Sequence, residues 1–569
     1  MISSIITRVI GAFFKIPLAA MLGGEGMGYF MTAYTVIGPA LSMSMLGFSI
    51  SVSKLTAASY GKSREKDRNK ILYSAIILFT SIGAFLAIII YAAVPAFLKA
   101  AGNQPAEKAA KAMIPSIIFC CITSVFRGYY EGVGDMVPTA LSQVVEAIIK
   151  LIIGMLFSQL SVNKVIKEFE QFGTAMGISA DNLSEAISIA SPTTAAAAVS
   201  GVSVSTAVGS LVMISIFLKS GISKTKNYDK ALNFTMISSQ LIRTALPVSA
   251  ATLVINVVAI VDTFSIVNIL NKSAELNWKA LLLSHPELSM SGINIDKAAN
   301  FLYGSYTGLA MTVFNIAPAF TASLGVCALP MISALYASRN RTILRKRIES
   351  ILRITFIAAI PIGLGMSTMA EPIIKVLFPT NIYEAPIAAD LLKILGIASI
   401  FVSVSVVLNN ILQAVGRIFA PLKLLLVGSI IKISVNWLLI SVPLINISGA
   451  PWGTLICYLF IMSAGIWVLM QEIDADIALL PIIIKPALAS LFCCASAKYA
   501  MKIMEKLIPY TVSMFVSIMI GAIIYIVFLV ILKGFDQSEL ELLGNNSKLN
   551  KLLDFCRLIS CKSHCNAVK

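Results

Sequence analysis

Histidine is nearly absent: the 569 residues contain His285 and His564 and no other. With so few, no catalytic or metal-binding histidine pair fits inside the apolar stretches. Charge is scarce too. Asp, Glu, Lys and Arg make up 13% of the chain, against roughly 25% in ordinary globular proteins, too little to clothe a soluble fold. No Walker loop, paired catalytic carboxylates or nucleophile motif occurs, so no enzyme is expected. Disulfides are not indicated either. The nine cysteines lie mostly in apolar runs, as Cys120, Cys121, Cys327, Cys457, Cys493 and Cys494 do, and read as small packing residues. The spacing of Cys556, Cys561, His564 and Cys565 fits no standard zinc site, so neither a metal nor a cofactor is expected. A cleavable signal is missing as well, because the first apolar run carries Arg8 and Lys15. Only seven residues precede Arg8, so the first helix is expected to be short, or the natural start to lie upstream.

What is abundant is apolar surface. AVILMFWYC residues reach 57% and fall in runs of about 20, the length that spans a bilayer. The fold expected is all-α and integral to the membrane, with fourteen transmembrane helices at 3–22, 29–52, 71–95, 112–130, 137–160, 193–218, 240–270, 303–333, 351–378, 387–412, 418–441, 449–470, 479–499 and 508–532. Pro247, Pro318, Pro330 and Pro361 offer kinks. The net charge of +16 would suggest nucleic acid in a soluble protein. Here the basic residues gather in alternate loops, so the partner is the bilayer and its anionic head groups, not nucleic acid. Loops on the side of the N-terminus, with the adjoining helix ends, hold more than twice as many Lys and Arg as the opposite loops. That bias puts both termini in the cytoplasm. The segments 161–192 and 271–302 are expected as short amphipathic surface helices or plain loops.

A shift of 282 positions aligns residues 133–156 with 415–438. It matches Gly134 to Gly416 and Lys150 to Lys432 at one shared spacing. Six helices separate the copies, so both run the same way across the bilayer, as in parallel-repeat transporters. The domains expected are a six-helix lobe at 1–218, a cytoplasmic linker at 219–238 and a second six-helix lobe at 239–470. A helix pair at 471–533 and a basic, cysteine-bearing cytoplasmic tail at 534–569 follow.

Ionisable residues inside a membrane cost roughly 2.5–3.5 kcal/mol each, so each needs a reason. Arg8 and Lys15, seven apart, share one face of the first helix, and Arg243 enters the seventh helix before Pro247. Lys150 and Lys432 occupy repeat-related positions near the centres of the fifth and eleventh helices. Arg8, Arg243 and Lys393 could also snorkel to head groups. Glu146, one turn before Lys150, makes a favourable i,i+4 pair with it; Gly428 stands at the equivalent place before Lys432. The five basic residues are the candidate substrate contacts, lining a positive cavity that suits an anionic guest such as a diphosphate. Asp262 and Glu146 are the candidates for Na+ or H+ coupling.

Three motifs resemble a known group. Ile6-Thr7-Arg8-Val9-Ile10-Gly11, Lys15-Ile16-Pro17-Leu18 and Leu22-Gly23-Gly24-Glu25-Gly26-Met27-Gly28 resemble the opening of the stage V sporulation protein B group. That group belongs with the MurJ-like lipid flippases of the multidrug/oligosaccharidyl-lipid/polysaccharide exporter superfamily. Arg127-Gly128-Tyr129-Tyr130-Glu131-Gly132, with Val137-Pro138-Thr139 through Glu146, is similar to the group's signature across helices four and five. Leu302-Tyr303-Gly304 is similar as well. The resemblance implies a MATE-like arrangement of two six-helix lobes plus a terminal pair, alternating access around a cationic cavity, and export of undecaprenyl-linked saccharides, including peptidoglycan precursors, across the bacterial inner membrane. It assigns Arg8, and more loosely Lys15, to the basic first-helix positions that matter for lipid II transport. The basic residue such proteins carry in the eighth helix has no counterpart in 303–333. Two other functions remain open to the sequence: a cation-coupled multidrug antiporter on the same scaffold, and a non-transporting scaffold for cell-wall or spore synthesis.

Overall fold

The computed structural model describes residues 2–60, 65–219, 234–291, 293–338, 340–417, 419–475 and 477–532. Most of the expected linker, the cysteine-bearing tail and the basic residues Lys62, Arg64 and Arg339 lie outside the described residues. Arg8 is described only as helical backbone.

The chain is helical almost throughout. The first half comprises α1 (Ile2–Ser42), α2 (Ser49–Tyr60), α3 (Glu65–Ala100), α4 (Glu107–Met113), α5 (Pro115–Val133), α6 (Val137–Phe172), α7 (Leu183–Lys219), α8 (Phe234–Ser284), α9 (Pro286–Met290) and α10 (Ile295–Gly304). There follow α11 (Met311–Phe314), α12 (Ile316–Ala337), α13 (Arg341–Thr368), α14 (Ala370–Leu377), α15 (Glu384–Ala414), α16 (Ala420–Ile440), α17 (Gly449–Ile473), α18 (Leu479–Met504) and α19 (Tyr510–Ile531). Among the described residues, twelve helices are long and apolar enough to cross a membrane, and the bent pair Ile295–Phe314 and Ile316–Gly325 makes a thirteenth.

Two expected spans, 3–22 and 29–52, fall within one helical run. The candidate span Phe13–Ser59 has 47 residues. Unbroken it would measure about 70 Å, against about 30 Å of hydrocarbon. It is broken at Gly23, with φ 63° and ψ −178°, a conformation essentially closed to residues with a Cβ. The 51-residue α8 is likewise interrupted, at Asn277. Proline is not the agent in either case: Pro247 and Pro361 sit inside continuous helix. The bend beside Asn315 does precede Pro318, whose ring crowds the carbonyl of Phe314. Between α6 and α7 the chain forms neither the amphipathic helix nor the plain loop expected. Instead α6 runs on to Phe172, and a two-stranded hairpin pairs Thr174 with Ser179 and Ala175 with Ile178. Met176 and Gly177, both at positive φ, supply its turn.

The internal repeat has a structural signature. After α5, Gly134 (φ 88°) donates to the Glu131 carbonyl and Asp135 to the Tyr130 carbonyl. After α15, Gly416 (φ 87°) donates to the Gln413 carbonyl and Arg417 to the Leu412 carbonyl. Both helices thus end in the same glycine-capped motif, at positions 282 residues apart.

The chain divides into two compact units. The first comprises Met1–Thr312, Phe378–Ala388 and Ile433–Ala450; the second comprises Val313–Leu377, Ala389–Lys432 and Pro451–Lys569. Hydrophobic burial drives little association in lipid, so close backbone packing has to supply the contact. In the first unit α1 lies against α6, α7, α8 and α10. A Cβ on Gly201 would meet Gly154 Cα at 2.5 Å, and one on Gly304 would meet the Gly24 carbonyl oxygen at 1.7 Å. In the second unit Ile348, Leu352, Phe356, Val404, Leu408 and Leu469 form the core. There the ends of three helices are tied by polar contacts: Glu472 accepts from Tyr336 at 2.7 Å and from Arg417 at 2.5 Å.

Gly304→Ala should therefore destabilise the first unit by about 1–3 kcal/mol, because the obstructing atom is backbone. Gly365→Ala, with open space around the new methyl, serves as the control. The midpoint of thermal loss of the monodisperse peak in size exclusion should fall for the first and hold for the second.

Candidate functional site

The break at Gly23 organises the first unit around α1. It frees the Gly24 amide, which donates to Glu384 Oε1 at 2.5 Å, across 360 residues of sequence. Glu384 is only 7% exposed. Three residues before it, Asn381 donates to the Ala19 carbonyl at 3.0 Å on the other side of the break. One turn on, a Cβ at Gly28 would strike Asn300, and Asn300 Nδ2 donates to the Glu25 carbonyl at 2.6 Å. The glycines of the Leu22–Gly28 motif therefore have separate tasks: Gly23 turns the chain, while Gly24 and Gly28 admit Glu384, Gly304 and Asn300.

Glu25 itself is 5% exposed and fully engaged. It accepts from Ser188 at 2.6 Å, Ser191 at 2.8 Å and Tyr29 at 3.1 Å, and Lys297 lies 3.4 Å away. Lys297 also donates to the Ser188 hydroxyl at 2.7 Å. A buried carboxylate is tolerable only when its lone pairs are met in this way.

Farther back along α1 stand the basic residues. Lys150 on α6 reaches toward Lys15 on α1 by way of Phe14, and the charge of Glu146 also acts on Lys150. Among the described residues neither lysine forms an ion pair. Lys150 Nζ sits 5.8 Å from the centroid of the Phe14 ring, at the limit of a useful cation–π contact. Phe14 is held by Phe30 at 6.2 Å and Phe30 by Tyr34 at 4.9 Å. Glu146 is not the ion-pair partner of Lys150 that the i,i+4 spacing suggests. It takes Arg127 instead, at 2.8 Å, with the two side chains 10% and 17% exposed. Arg127 Nε donates to Ser142 at 2.9 Å, which fixes the guanidinium. Nearby glycines make this possible. Cβ atoms at Gly128 and Gly132 would meet the Ser49 and Ser53 carbonyls at 2.4 and 2.6 Å, so α5 packs on α2 through its glycine edge and presents Arg127 to α6.

The remaining candidates lie apart from this cluster. Asp262 on α8 accepts from the buried Asn436 at 2.8 Å. Arg243 is exposed on the same helix. Lys432 is half-buried on α16 within the second unit and makes contacts of its own. The Arg8 side chain lies outside the described residues. Sequence reasoning passed over Glu25, Arg127, Lys297 and Glu384 as site residues. Two small-xxx-small pairs, Gly24/Gly28 and Gly304/Gly308, were the available signal, since they mark where two helices touch.

Arg127→Ala leaves Glu146 buried without its cation and should cost about 3 kcal/mol. The paired replacement Arg127→Met with Glu146→Leu should recover most of that loss. Thermal midpoints of the three purified proteins decide; a double variant no better than the single would contradict the pairing.

Residues 1–165 match the family model described as polysaccharide biosynthesis protein, and residues 305–438 match the model named MatE. Three relatives come from Bacillus subtilis (strain 168). An uncharacterized membrane protein, YabM, is 22% identical over 565 residues, covering 97% of this chain and 95% of its own. Stage V sporulation protein B is 23% identical, covering 79% and 78%. The lipid II flippase MurJ is 22% identical, covering 89% and 87%. Among solved structures, a lipid II flippase MurJ in an inward closed conformation superposes with a TM-score of 0.62 at 14% identity, over 93% of this chain and 97% of that one. An inward-facing MATE family multidrug transporter superposes with a TM-score of 0.58 at 13% identity, over 83% and 98%. Those likenesses bear on fold, and they agree with the all-helical architecture and its dozen or so membrane-spanning helices. Full-length relatives, motifs and fold together make this chain a multi-pass membrane protein similar to members of the multidrug/oligosaccharidyl-lipid/polysaccharide exporter superfamily.

Proposed function

We propose that the protein is a flippase, carrying a lipid-linked saccharide with a diphosphate head across the bacterial inner membrane. The observation that carries this is the position of Lys150 over the ring of Phe14, the residue next to Lys15, with neither lysine in a salt bridge among the described residues. Two ammonium groups held together repel; a guest with two phosphate charges removes the repulsion and gains charge-assisted hydrogen bonds to both. The name of one relative, a lipid II flippase, favours the same cargo class.

In this proposal fourteen helices form two six-helix lobes, 1–218 and 239–470, joined by 219–238. Residues 471–533 are an added pair, and both termini face the cytoplasm. The lobes rock so that the head group is exposed first inward, then outward, while the lipid tail stays in the bilayer. Lys432 is the second lobe's counterpart to Lys150, and Arg8 and Arg243 receive the head group at the cytoplasmic end. No covalent step is involved. Na+ or H+ coupling through Glu146 or Asp262 has less behind it, because Arg127 holds the first and Asn436 the second. The same two contacts weigh against a drug/cation antiporter, which wants a carboxylate open to its guest.

The test is rescue of a strain depleted of its own flippase, reading the outward appearance of labelled lipid-linked precursor. The unaltered chain should restore it. Lys15→Ala with Lys150→Ala should lower the rate at least about tenfold, the loss of one charge-assisted contact or more. Lys15→Arg should retain most of it. Unchanged transport by the double variant at normal expression would remove the lysines from the mechanism. Dye efflux driven by Na+ or H+ without precursor movement would establish the antiporter.

A further inference from the structure

The first unit contains a groove of about 480 Å³ between α8 and the outermost turns of α16. Its walls change character along its length. Val261, Phe264 and Trp437 line one end, and Lys272, Ser273 and Asn277 line the other. From Val261 to Asn277 is 16 residues, about 24 Å of helix, which is enough to run from hydrocarbon depth to head-group depth. Trp437 is 62% exposed, which leaves its ring open to a lipid chain. Among the described residues no carboxylate lines the groove, and none pairs with Lys272. The acid nearest the apolar end, Asp262, is occupied by Asn436.

We propose that this groove binds an anionic phospholipid of the bilayer. Its phosphodiester would sit at Lys272, with donors from Ser273 and Asn277, and the first part of an acyl chain would lie along Phe264 and Trp437. An ammonium that forms no salt bridge among the described residues, at the wet end of an apolar channel, matches an amphiphile with one negative charge. A single lysine also argues for this occupant over the transport cargo, because a diphosphate would be left half compensated. The site is independent of the Lys15–Lys150 pair, so its failure and the failure of the flippase proposal are separately visible.

The test uses the full chain, purified in neutral detergent and examined by native mass spectrometry with added phosphatidylglycerol or phosphatidylcholine of the same acyl chains. Bound phosphatidylglycerol should exceed phosphatidylcholine about tenfold, the value of one charge-assisted contact. Lys272→Ala should bring the two lipids level, and Lys272→Arg should keep the preference. Lys279→Ala, a nearby exposed lysine, should change nothing. Equal phosphatidylglycerol retention by Lys272→Ala and the unaltered chain would overturn the proposal. So would displacement of phosphatidylglycerol by an equimolar lipid-linked diphosphate saccharide, which would make the groove a cargo site.

Discussion

Like charges in a poorly polarisable interior set the terms for this molecule. Water would screen two neighbouring ammonium groups almost completely, whereas a helix bundle in lipid screens them poorly. Such an arrangement lowers the stability of the folded protein unless something else removes the repulsion. Glu146 stands one turn from Lys150 and its charge still acts on that lysine, but its salt bridge goes to Arg127. In the flippase proposal the remaining positive charge serves a guest, and the pairing of Arg127 with Glu146 becomes as important to that site as the lysines themselves.

That division of labour depends on close backbone approach. Glycines on α5 bring Arg127 within reach of α6, and glycines on α1 and α10 draw the broken first helix against Asn300 and Glu384. In lipid, where apolar contact is nearly neutral, such packing and the hydrogen bonds it permits hold helices in register. The buried acids Glu25 and Glu384 are then structural in their observed contacts: one gathers serines, a tyrosine and a lysine from α7, α1 and α10, and the other caps an amide that the break exposes. The positive φ at Gly23 is the local cost of placing that amide where Glu384 can meet it.

Much of this was legible in the residues alone. The membrane class followed from charge scarcity and apolar run length. The resemblance to the superfamily followed from short glycine-rich and arginine-bearing motifs. The repeat was visible as matched Gly134/Gly416 and Lys150/Lys432, and the two glycines cap their helices identically. Pairings between distant residues were hidden. Helical spacing proposes Lys150 for Glu146, since it sees only one helix; the actual partner comes from α5. Glu384 reaches Gly24 across 360 residues, a contact no local pattern encodes. Helix limits also escaped, because a hydropathy window reports apolar length and not a break such as that at Gly23 inside one continuous helical run.

Equilibrium binding tests the central claim most directly. The purified protein would be titrated with a polyprenyl diphosphate saccharide and with the same lipid lacking its phosphates, and each titration repeated with Lys15 and Lys150 both changed to methionine. The lysine pair as a diphosphate receptor predicts tight binding of the phosphorylated lipid by the unaltered protein alone. Equal affinity for both lipids, or affinity untouched by the two methionines, would contradict it.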